Sequence, residues 1–355
     1  MGSLDQAGAV RQGESLDAET IVDHLRKTLP GLDGPITIHQ FHSGFSNLTY
    51  LMTVGSTELV LRRPPFGKKA TTAHDMGREY RILRALKPVF PYVPEPLAYC
   101  DDPAVMGVPF YVMARLQGVI LRKELPEGLM LDASDTGRLC RQWVDVLGEL
   151  HRLDYRGCGL ADLGNPDGYV SRQVHGWSGR FRDARTDDVP DFEPVMAWLH
   201  AGMPADHDRP ALIHNDFKFD NVILDPADPT RITGVLDWEM ATVGDPLMDL
   251  GASLGYWVEP GDSEELKLIG TLPTLSPGML TRRQIVALYE KKTGTAIDHF
   301  AWYYCFGLFR LAVIAQQIYY RYYHGQTTDD RFQMLGAAVG ILEKAAARVM
   351  KTGTY

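Results

Sequence analysis

The chain has 355 residues, which is enough for one large domain or two smaller ones. Its composition, 45% hydrophobic and 23% charged residues, is ordinary for a soluble globular protein. The net charge of −9 argues against a broad nucleic-acid-binding surface, although it leaves room for a local basic pocket.

The cysteines and the N-terminal residues are used to predict the cellular location. Four scattered cysteines occur, none in a CxxC motif: Cys100, Cys140, Cys158 and Cys305. Reduced thiols in a cytoplasmic protein are the simplest interpretation. Residues 1–16 lack the apolar core of a signal peptide and are expected to form a flexible leader. The most apolar segment, residues 300–320, contains Arg310, Gln316 and Gln317, so it predicts a buried helix and no membrane partner.

The first elements in chain order are a helix and three strands. Asp17 can cap a helix that runs to about Leu29, before Pro30-Gly31. Two alternating strands then flank the turn Ser43-Gly44-Phe45-Ser46-Asn47, and a third strand runs from Glu58 to Arg62. A glycine turn allows a close backbone approach to phosphate, although one such glycine is also an ordinary hairpin residue. The chain has neither a GxGxxG loop nor a Walker A motif.

A helix and a last strand complete the N-terminal part. Thr71 or Thr72 can cap the helix, and Met76, Tyr80 and Leu83 form its apolar stripe. Glu79 lies beside that stripe, where it can be either a partner for a basic residue or a solvated side chain. Residues 108–113 predict the strand, and residues 114–116 predict a hinge.

The C-terminal part is predicted to be mostly helical. The predicted helices are residues 134–152, residues 247–257, one opened by the capping box of Thr281 and Gln284 and closed by Gly294, and one opened by Asp298. Residues 259–278 are rich in Gly, Pro, Ser and acidic residues and predict a mobile loop.

The most informative segment is residues 212–251. His214-Asn-Asp216 is followed by four residues and then Asn221, and a short β-like run from Ile232 to Leu236 ends on Asp237. An aspartate beside a hydroxyl can orient it and accept its proton, whereas an amide oxygen and a carboxylate suit Mg²⁺. Because phosphoryl transfer depends mainly on positioning and charge neutralisation, these residues are a sufficient chemical set for it.

This pattern resembles the aminoglycoside phosphotransferase-like kinases, a family with HxDxxxxN followed by an aspartate after the next strand. The resemblance implies an α+β, protein-kinase-like two-lobed fold, with a small antiparallel-sheet N-lobe at 17–115 and a larger, mostly helical C-lobe at 116–355. It implies that Asp216 is the catalytic base and that Asn221 and Asp237 bind Mg²⁺. His214, Asp245, Asp249 and the helix-end residue His151 are then expected to be structural.

The same resemblance implies an ATP site in the N-terminal part. The turn Ser43-Gly44-Phe45-Ser46-Asn47 would cover the phosphates, and Met113 and Arg115 would lie at the adenine-binding hinge. The lysine of the family's third strand is replaced by Arg62, which keeps a positive charge and can form a fork to phosphate or carboxylate. Glu79 would be its ion-pair partner.

Residues 168–182, together with GFSN and VLRRPP, resemble one branch of the family, the kinase domains related to those fused to acyl-CoA dehydrogenases. That branch is associated with phosphorylation of hydroxyacyl-CoA. Arg172, Trp177 and Arg180 are the candidate substrate residues, although a solvated basic helix face explains the arginines equally well. The aromatic run at 302–323 could line an acyl pocket or simply form core.

The expected function is ATP- and Mg²⁺-dependent phosphorylation of a hydroxyl on a small molecule, with a hydroxyacyl-CoA or related hydroxy acid preferred. An aminoglycoside-type antibiotic kinase and a nucleotide-binding pseudokinase stay open as alternatives, the latter because of Arg62. A metal-dependent hydrolase would leave the glycine turn and Arg62 unexplained, and a protein kinase would be expected to carry DFG and APE motifs. A homodimer is possible, and no nucleic-acid partner is expected.

Overall fold

A computed structural model describes residues 6–42, 47–65, 75–327 and 329–355. It divides into two compact units. The first contains the chain up to residue 120 together with residues 156–160 and 221–240, and the second contains the remainder. The first unit is built mainly on antiparallel β-sheet and the second mainly on helices, so the predicted α+β class is confirmed.

A five-stranded antiparallel sheet forms the centre of the first unit, in the order β1-β2-β3-β5-β4. Its strands are β1 (Ile36–Phe41), β2 (Leu48–Val54), β3 (Thr57–Arg63), β4 (Pro96–Cys100) and β5 (Phe110–Ala114). The turn between β2 and β3 contains Gly55 with φ +59°, where an added Cβ would lie 2.3 Å from the Asp33 carbonyl oxygen. The glycine is therefore required by this tight hairpin.

Helices and a hairpin cover this sheet. The first unit also contains α1 (Ala18–Leu25), α2 (Met76–Leu86), α3 (Pro103–Met106) and the hairpin of β7 (Val222–Leu224) with β8 (Ile232–Val235). The Asp17 side chain caps α1, as predicted, although α1 ends at Leu25. The cap of α2 is Asp75, which accepts a hydrogen bond from the Arg78 amide at 2.9 Å. The predicted caps Thr71 and Thr72 lie outside the described residues.

Residues 8–14 contact the sheet, although residues 1–16 were expected to be a flexible leader. Gly8 forms an antiparallel bridge with Gln40, and Tyr50 donates a hydrogen bond to the Glu14 carbonyl at 2.9 Å. Arg11 donates to the His42 carbonyl at 3.1 Å. These contacts satisfy backbone groups at the edge strand β1.

The second unit contains eight helices among its described residues and a short antiparallel pair. The pair is β6 (Ala211–Ile213) with β9 (Thr242–Gly244), and the helices are α4 (Ala133–Arg152), α5 (Tyr169–Ala184), α6 (Glu193–Ala201), α7 (Pro246–Leu254), α8 (Glu264–Leu268), α9 (Arg282–Thr293), α10 (Phe300–Tyr323) and α11 (Met334–Thr352). No described helix is long and apolar enough to cross a membrane.

Local signals located most of these helices. The capping box of Thr281 and Gln284 opens α9, and Gly294 closes it with φ +68°. Part of the segment expected to be a loop is the short helix α8, because Ser263 caps it by accepting from the Leu266 amide. The residue before α10 is His299, in the left-handed conformation, rather than the predicted Asp298.

The core of the second unit lies around α10. The helices α7 and α10 approach so closely that a Cβ on Gly307 would lie 2.0 Å from the Gly251 carbonyl oxygen. Aromatic residues of α10 that were considered for an acyl pocket are buried, each at most 6% exposed: Trp302, Tyr303, Tyr304, Phe306 and Phe309. Core packing is therefore the main role of these five residues.

Candidate active site

The hairpin of β7 and β8 positions the two predicted metal ligands in the first unit. Val222 pairs with Val235, and the Leu236 amide donates to the Asn221 carbonyl at 2.8 Å. Asn221 directly precedes β7 and Asp237 follows β8, so both residues lie at the same end of the hairpin. The side chains of these two residues carry an amide oxygen and a carboxylate, which are hard oxygen donors of the kind that Mg²⁺ prefers.

Asp237 has an unusual backbone conformation. Its φ is +66°, in the left-handed region that residues with a Cβ rarely adopt. Such a conformation costs about 1–3 kcal/mol and is found most often at ligand-binding and catalytic positions.

Arg62 on β3 joins three carboxylates. Its guanidinium donates to Glu79 of α2 at 2.9 Å and to Asp237 at 3.0 Å, and it lies 3.6 Å from the Glu239 carboxylate. The Arg62 side chain is 9% exposed and that of Glu79 is 2% exposed. The expected ion pair of Arg62 and Glu79 is present, and the contact with Asp237 ties β3 to the residue that follows the β7–β8 hairpin.

Charge and hydrogen bonding at Arg62 favour a permanent cation. Burial by itself lowers the pKa of Arg62, but the carboxylates of Glu79, Asp237 and Glu239 outweigh it and raise that pKa well above its ordinary value. The buried Nε of Arg62 has no hydrogen-bond partner among the described residues. One donor of this cation is therefore both buried and unpaired among the described residues.

Glu239 holds the end of the predicted phosphate-binding turn. The side-chain amide of Asn47 donates a hydrogen bond to the Glu239 carboxylate at 2.7 Å, and Asn47 is 4% exposed. The Arg78 guanidinium donates to the Glu239 carbonyl at 3.2 Å. Ser43, Gly44, Phe45 and Ser46 lie outside the described residues.

The predicted hinge residues lie at the end of β5. Met113 is in β5 and is 6% exposed. The Arg115 guanidinium donates to the Glu58 carboxylate of β3 at 2.6 Å. This ion pair links the start of β3 to the segment after β5.

The predicted base Asp216 lies in the second unit, after β6. Its Oδ2 is 3.2 Å from the Lys218 ammonium, which also lies 3.7 Å from Asp220. The Lys218 ammonium stands over the Tyr256 ring, 4.7 Å from its centroid. Burial would lower the pKa of Lys218, but Tyr256 and the two carboxylates raise it above its ordinary value. Lys218 is therefore a fixed positive charge beside Asp216.

Asp249 of α7 braces the backbone before Asp216. Its carboxylate accepts hydrogen bonds from the amides of His214 and Asn215, both at 2.8 Å. It also lies 3.0 Å from Nε2 of His151, whose Nδ1 is 2.7 Å from the Tyr289 hydroxyl. Burial would raise the pKa of Asp249, but its hydrogen bonds to His151 and His214 hold that pKa below its ordinary value. Asp249 therefore holds the loop directly, and His151 contacts Asp249.

Arg310 of α10 holds the same loop from another side. Its guanidinium donates to the Asn215 carbonyl at 2.6 Å and is 5.1 Å from the centroid of the Trp177 ring. Asn215 has φ +65°, so the residue that precedes Asp216 is strained like Asp237. Arg310 is 3% exposed, and it therefore fixes the Asn215 carbonyl from within the core.

The three predicted substrate residues all lie on α5 but have different surroundings. Arg172 donates to the carbonyls of Asn165 and Asp167 in the preceding loop. Trp177 is 6% exposed and also contacts Arg180, whose guanidinium lies 4.8 Å from its ring centroid. Arg180 is exposed. Arg172 is therefore engaged with backbone, whereas Arg180 presents an exposed cation on an aromatic face.

Three residues of this candidate active site were not identified from the sequence: Lys218, Glu239 and Arg310. Lys218 and Glu239 stand two residues after Asp216 and Asp237, so their proximity to the motif was a usable signal. Arg310 was recognised only as a polar residue within an apolar helix. A buried arginine needs a partner, but its sequence position does not reveal which one.

Comparison with known proteins identifies the family. The sequence profile described as the phosphotransferase enzyme family matches residues 37–280, more than half of the chain. The chain belongs to this family. The similar structures described below agree with the protein-kinase-like fold that the resemblance implied.

Two curated relatives illustrate the range of the family. Acyl-CoA dehydrogenase family member 11 from Gallus gallus is 33% identical over 334 residues, which cover 90% of this chain and 42% of the relative. Viomycin phosphotransferase from Streptomyces vinaceus is 23% identical over 295 residues, covering 75% of this chain and 93% of the relative. The chain thus spans less than half the length of the first relative.

Solved structures support the same fold. A Ralstonia eutropha protein, solved as a candidate aminoglycoside phosphotransferase, has a TM-score of 0.80 and 28% identity, covering 95% of this chain and 99% of its own. Choline kinase from Cryptosporidium parvum has a TM-score of 0.61 and 12% identity, covering 94% and 97%. At that identity the second likeness shows the fold alone.

Proposed function

We propose that the chain transfers the γ-phosphoryl group of ATP to a hydroxyl of a small molecule, with Asp216 as base and with Asn221 and Asp237 as Mg²⁺ ligands. The observation that carries this proposal is the pair of oxygen donors at one end of the β7–β8 hairpin, joined through Asp237 to the cation Arg62. When bound, Mg²⁺ neutralises charge on the phosphate oxygens.

Arg62 is proposed to meet a phosphate oxygen of ATP. Its Nη atoms are occupied by Glu79 and Asp237, whereas its buried Nε has no partner among the described residues. An arginine forms stronger hydrogen bonds to an oxyanion than to a neutral acceptor. This arrangement supports nucleotide binding by an arginine at the position where the family usually has a lysine.

Asp216 is proposed to orient the acceptor hydroxyl and to take its proton as the new O–P bond forms. The Lys218 ammonium, 3.2 Å from Oδ2, holds the carboxylate in place. The amide contacts of Asp249 and the Arg310 contact to the Asn215 carbonyl position the loop. The proton therefore goes to a side chain whose orientation is set before the substrate binds.

The proposed acceptor is a hydroxyacyl-CoA or a related hydroxy acid. Similarity to the acyl-CoA dehydrogenase family members supports this class. The exposed cation of Arg180 over Trp177 suits a phosphate or carboxylate on such an acceptor better than Arg172, which already binds loop carbonyls. Viomycin phosphotransferase is a phosphotransferase relative with a different named specificity, so an antibiotic acceptor is the second candidate.

An ADP-release assay with Mg·ATP tests the proposal. The acceptor panel contains hydroxyacyl-CoAs, free hydroxy acids, choline and aminoglycosides, and Asp216→Ala is run in parallel. We expect stimulation by hydroxyacyl-CoA, with ADP and phosphorylated acceptor formed in equal amounts, and loss of stimulation in the variant. If only aminoglycosides stimulated ADP release, the acceptor would be an aminoglycoside and not a hydroxyacyl-CoA. ATP binding without turnover across the panel would favour a pseudokinase.

A further inference from the structure

A cavity of about 350 Å³ lies within the second unit and has no role in the proposed phosphoryl transfer. Its walls come from the end of α4, the segment before β6, the start of α7 and the end of α9. The polar side chains that matter here are His151, Arg152, His207, Arg209 and Tyr289. Two arginines and two histidines in one space give the cavity a basic character.

The two arginines have no carboxylate partners among the described residues. Arg152 donates to the Lys292 carbonyl at 2.7 Å, and no ion pair in the described part of the chain involves Arg152 or Arg209. Arg152 and Arg209 are exposed, whereas the buried Arg282 is paired with Asp262 at 2.6 Å. The cavity thus carries positive charge that the described residues do not neutralise directly.

Both guanidinium groups act on the same buried hydroxyl. Burial and the carboxylates of Asp249 and Asp245 raise the pKa of Tyr289, while Arg152 and Arg209 act in the opposite direction. The Tyr289 hydroxyl is 2.7 Å from Nδ1 of His151, so it stands between the cavity and the support of the catalytic loop.

The nearby acids are engaged elsewhere and do not line the cavity. Asp249 accepts hydrogen bonds from the backbone amides of His214 and Asn215 and contacts His151. Asp245 caps α7 by accepting from the Leu247 amide at 2.7 Å. Neither aspartate lines the cavity, although the buried Oδ2 of Asp245 has no hydrogen-bond partner among the described residues.

We propose that this cavity binds the oxyanion group, phosphate or carboxylate, of a small metabolite. Arginine forks bind both groups through charge-assisted hydrogen bonds. The space lies within the range of small-molecule sites and exceeds the size of orthophosphate, so the ligand carries further atoms beside the anion. The apolar walls formed by Leu153, Pro210 and Pro246 suit those atoms.

A chain of hydrogen bonds links this site to the loop that carries Asp216. The Tyr289 hydroxyl contacts His151, and His151 contacts Asp249 at 3.0 Å. Asp249 in turn holds the amides that precede Asp216. A ligand that displaces Tyr289 or His151 therefore acts on the support of the proposed base.

A titration of the whole chain, labelled with ¹⁵N-histidine, tests the proposal with inorganic phosphate and, separately, with acetate. Chloride keeps the ionic strength constant, and His151→Asn and His207→Asn assign the two imidazole signals. We expect saturable shifts of both signals, with tighter binding of phosphate because it carries more charge. Tighter binding of acetate would identify the carboxylate as the recognised group.

Substitutions separate this site from other phosphate sites. Arg152→Gln and Arg209→Gln are expected to weaken the binding at least about tenfold, the effect of losing a charge-assisted hydrogen bond. Arg321→Gln, at an exposed position on α10 that is not part of the cavity lining, is the matched control and is expected to bind like wild type. Shifts that do not saturate, or saturable shifts that both cavity variants retain, would overturn the proposal.

Discussion

Replacement of Arg62 probes the charge cluster of the first unit most directly. The guanidinium joins Glu79 and Asp237 at 2.9 and 3.0 Å, and the side chains of Arg62 and Glu79 are 9% and 2% exposed. Arg62→Ala leaves the buried Glu79 carboxylate without its cation. Removing one partner of a buried ion pair costs about 3–5 kcal/mol, so we expect the free energy of unfolding to fall by that amount.

Arg62→Lys separates the charge from the geometry. A lysine keeps the cation but presents a single nitrogen, so it cannot meet Glu79 and Asp237 through two separate nitrogens. The contact with Asp237 is expected to add little to the free energy of unfolding, because the Asp237 side chain is 33% exposed and solvent screens the ion pair. We therefore expect Arg62→Lys to cost about 1 kcal/mol, well below the cost of Arg62→Ala.

Guanidinium chloride unfolding, followed by both circular dichroism and tryptophan fluorescence, measures these differences. The double variant Arg62→Met with Glu79→Leu is expected to be more stable than Arg62→Met alone, because it leaves no buried unpaired charge. Arg84→Ala, at an exposed position on α2, is the matched control and is expected to unfold like wild type. An Arg62→Ala variant as stable as Arg84→Ala would refute the reasoning.

Three further predictions concern the proposed ligands and the loop. Asp237→Ala is expected to lose the rise in melting temperature that Mg·ATP produces, whereas Asp216→Ala keeps most of it; equal loss in both would contradict the assigned roles. Arg310→Lys is expected to lower kcat about tenfold with little change in the KM for ATP, because it weakens the hydrogen bond that positions the Asn215 carbonyl. An unchanged kcat would count against this role. Asp249→Asn is expected to cost about 3 kcal/mol at neutral pH, since an amide cannot accept all three donors. Because the pKa of Asp249 is below its ordinary 3.8, this deficit should shrink only below that pH, as urea unfolding at several pH values can show.

Local sequence patterns were sufficient for most elements and for the motif. The capping box of Thr281 and Gln284 and the cap of Asp245 act within three residues, so the sequence alone identifies them. Strands β1–β3 were likewise predicted from neighbouring positions, although β2 and β3 contain runs of consecutive buried residues. Where a local signal was ambiguous, as at Asp75 and His299, the predicted boundary was displaced by one to a few residues.

The sequence by itself determined the family motif, the α+β class and the order of Asp216, Asn221 and Asp237 along the chain. Only the tertiary structure decided which side chains meet. Arg62 reaches Asp237 across 175 positions, Asn47 reaches Glu239 across 192, and Arg310 reaches Asn215 across 95. The physical reason is that such contacts depend on how distant segments pack, and no local propensity of the chain encodes a partner so far away.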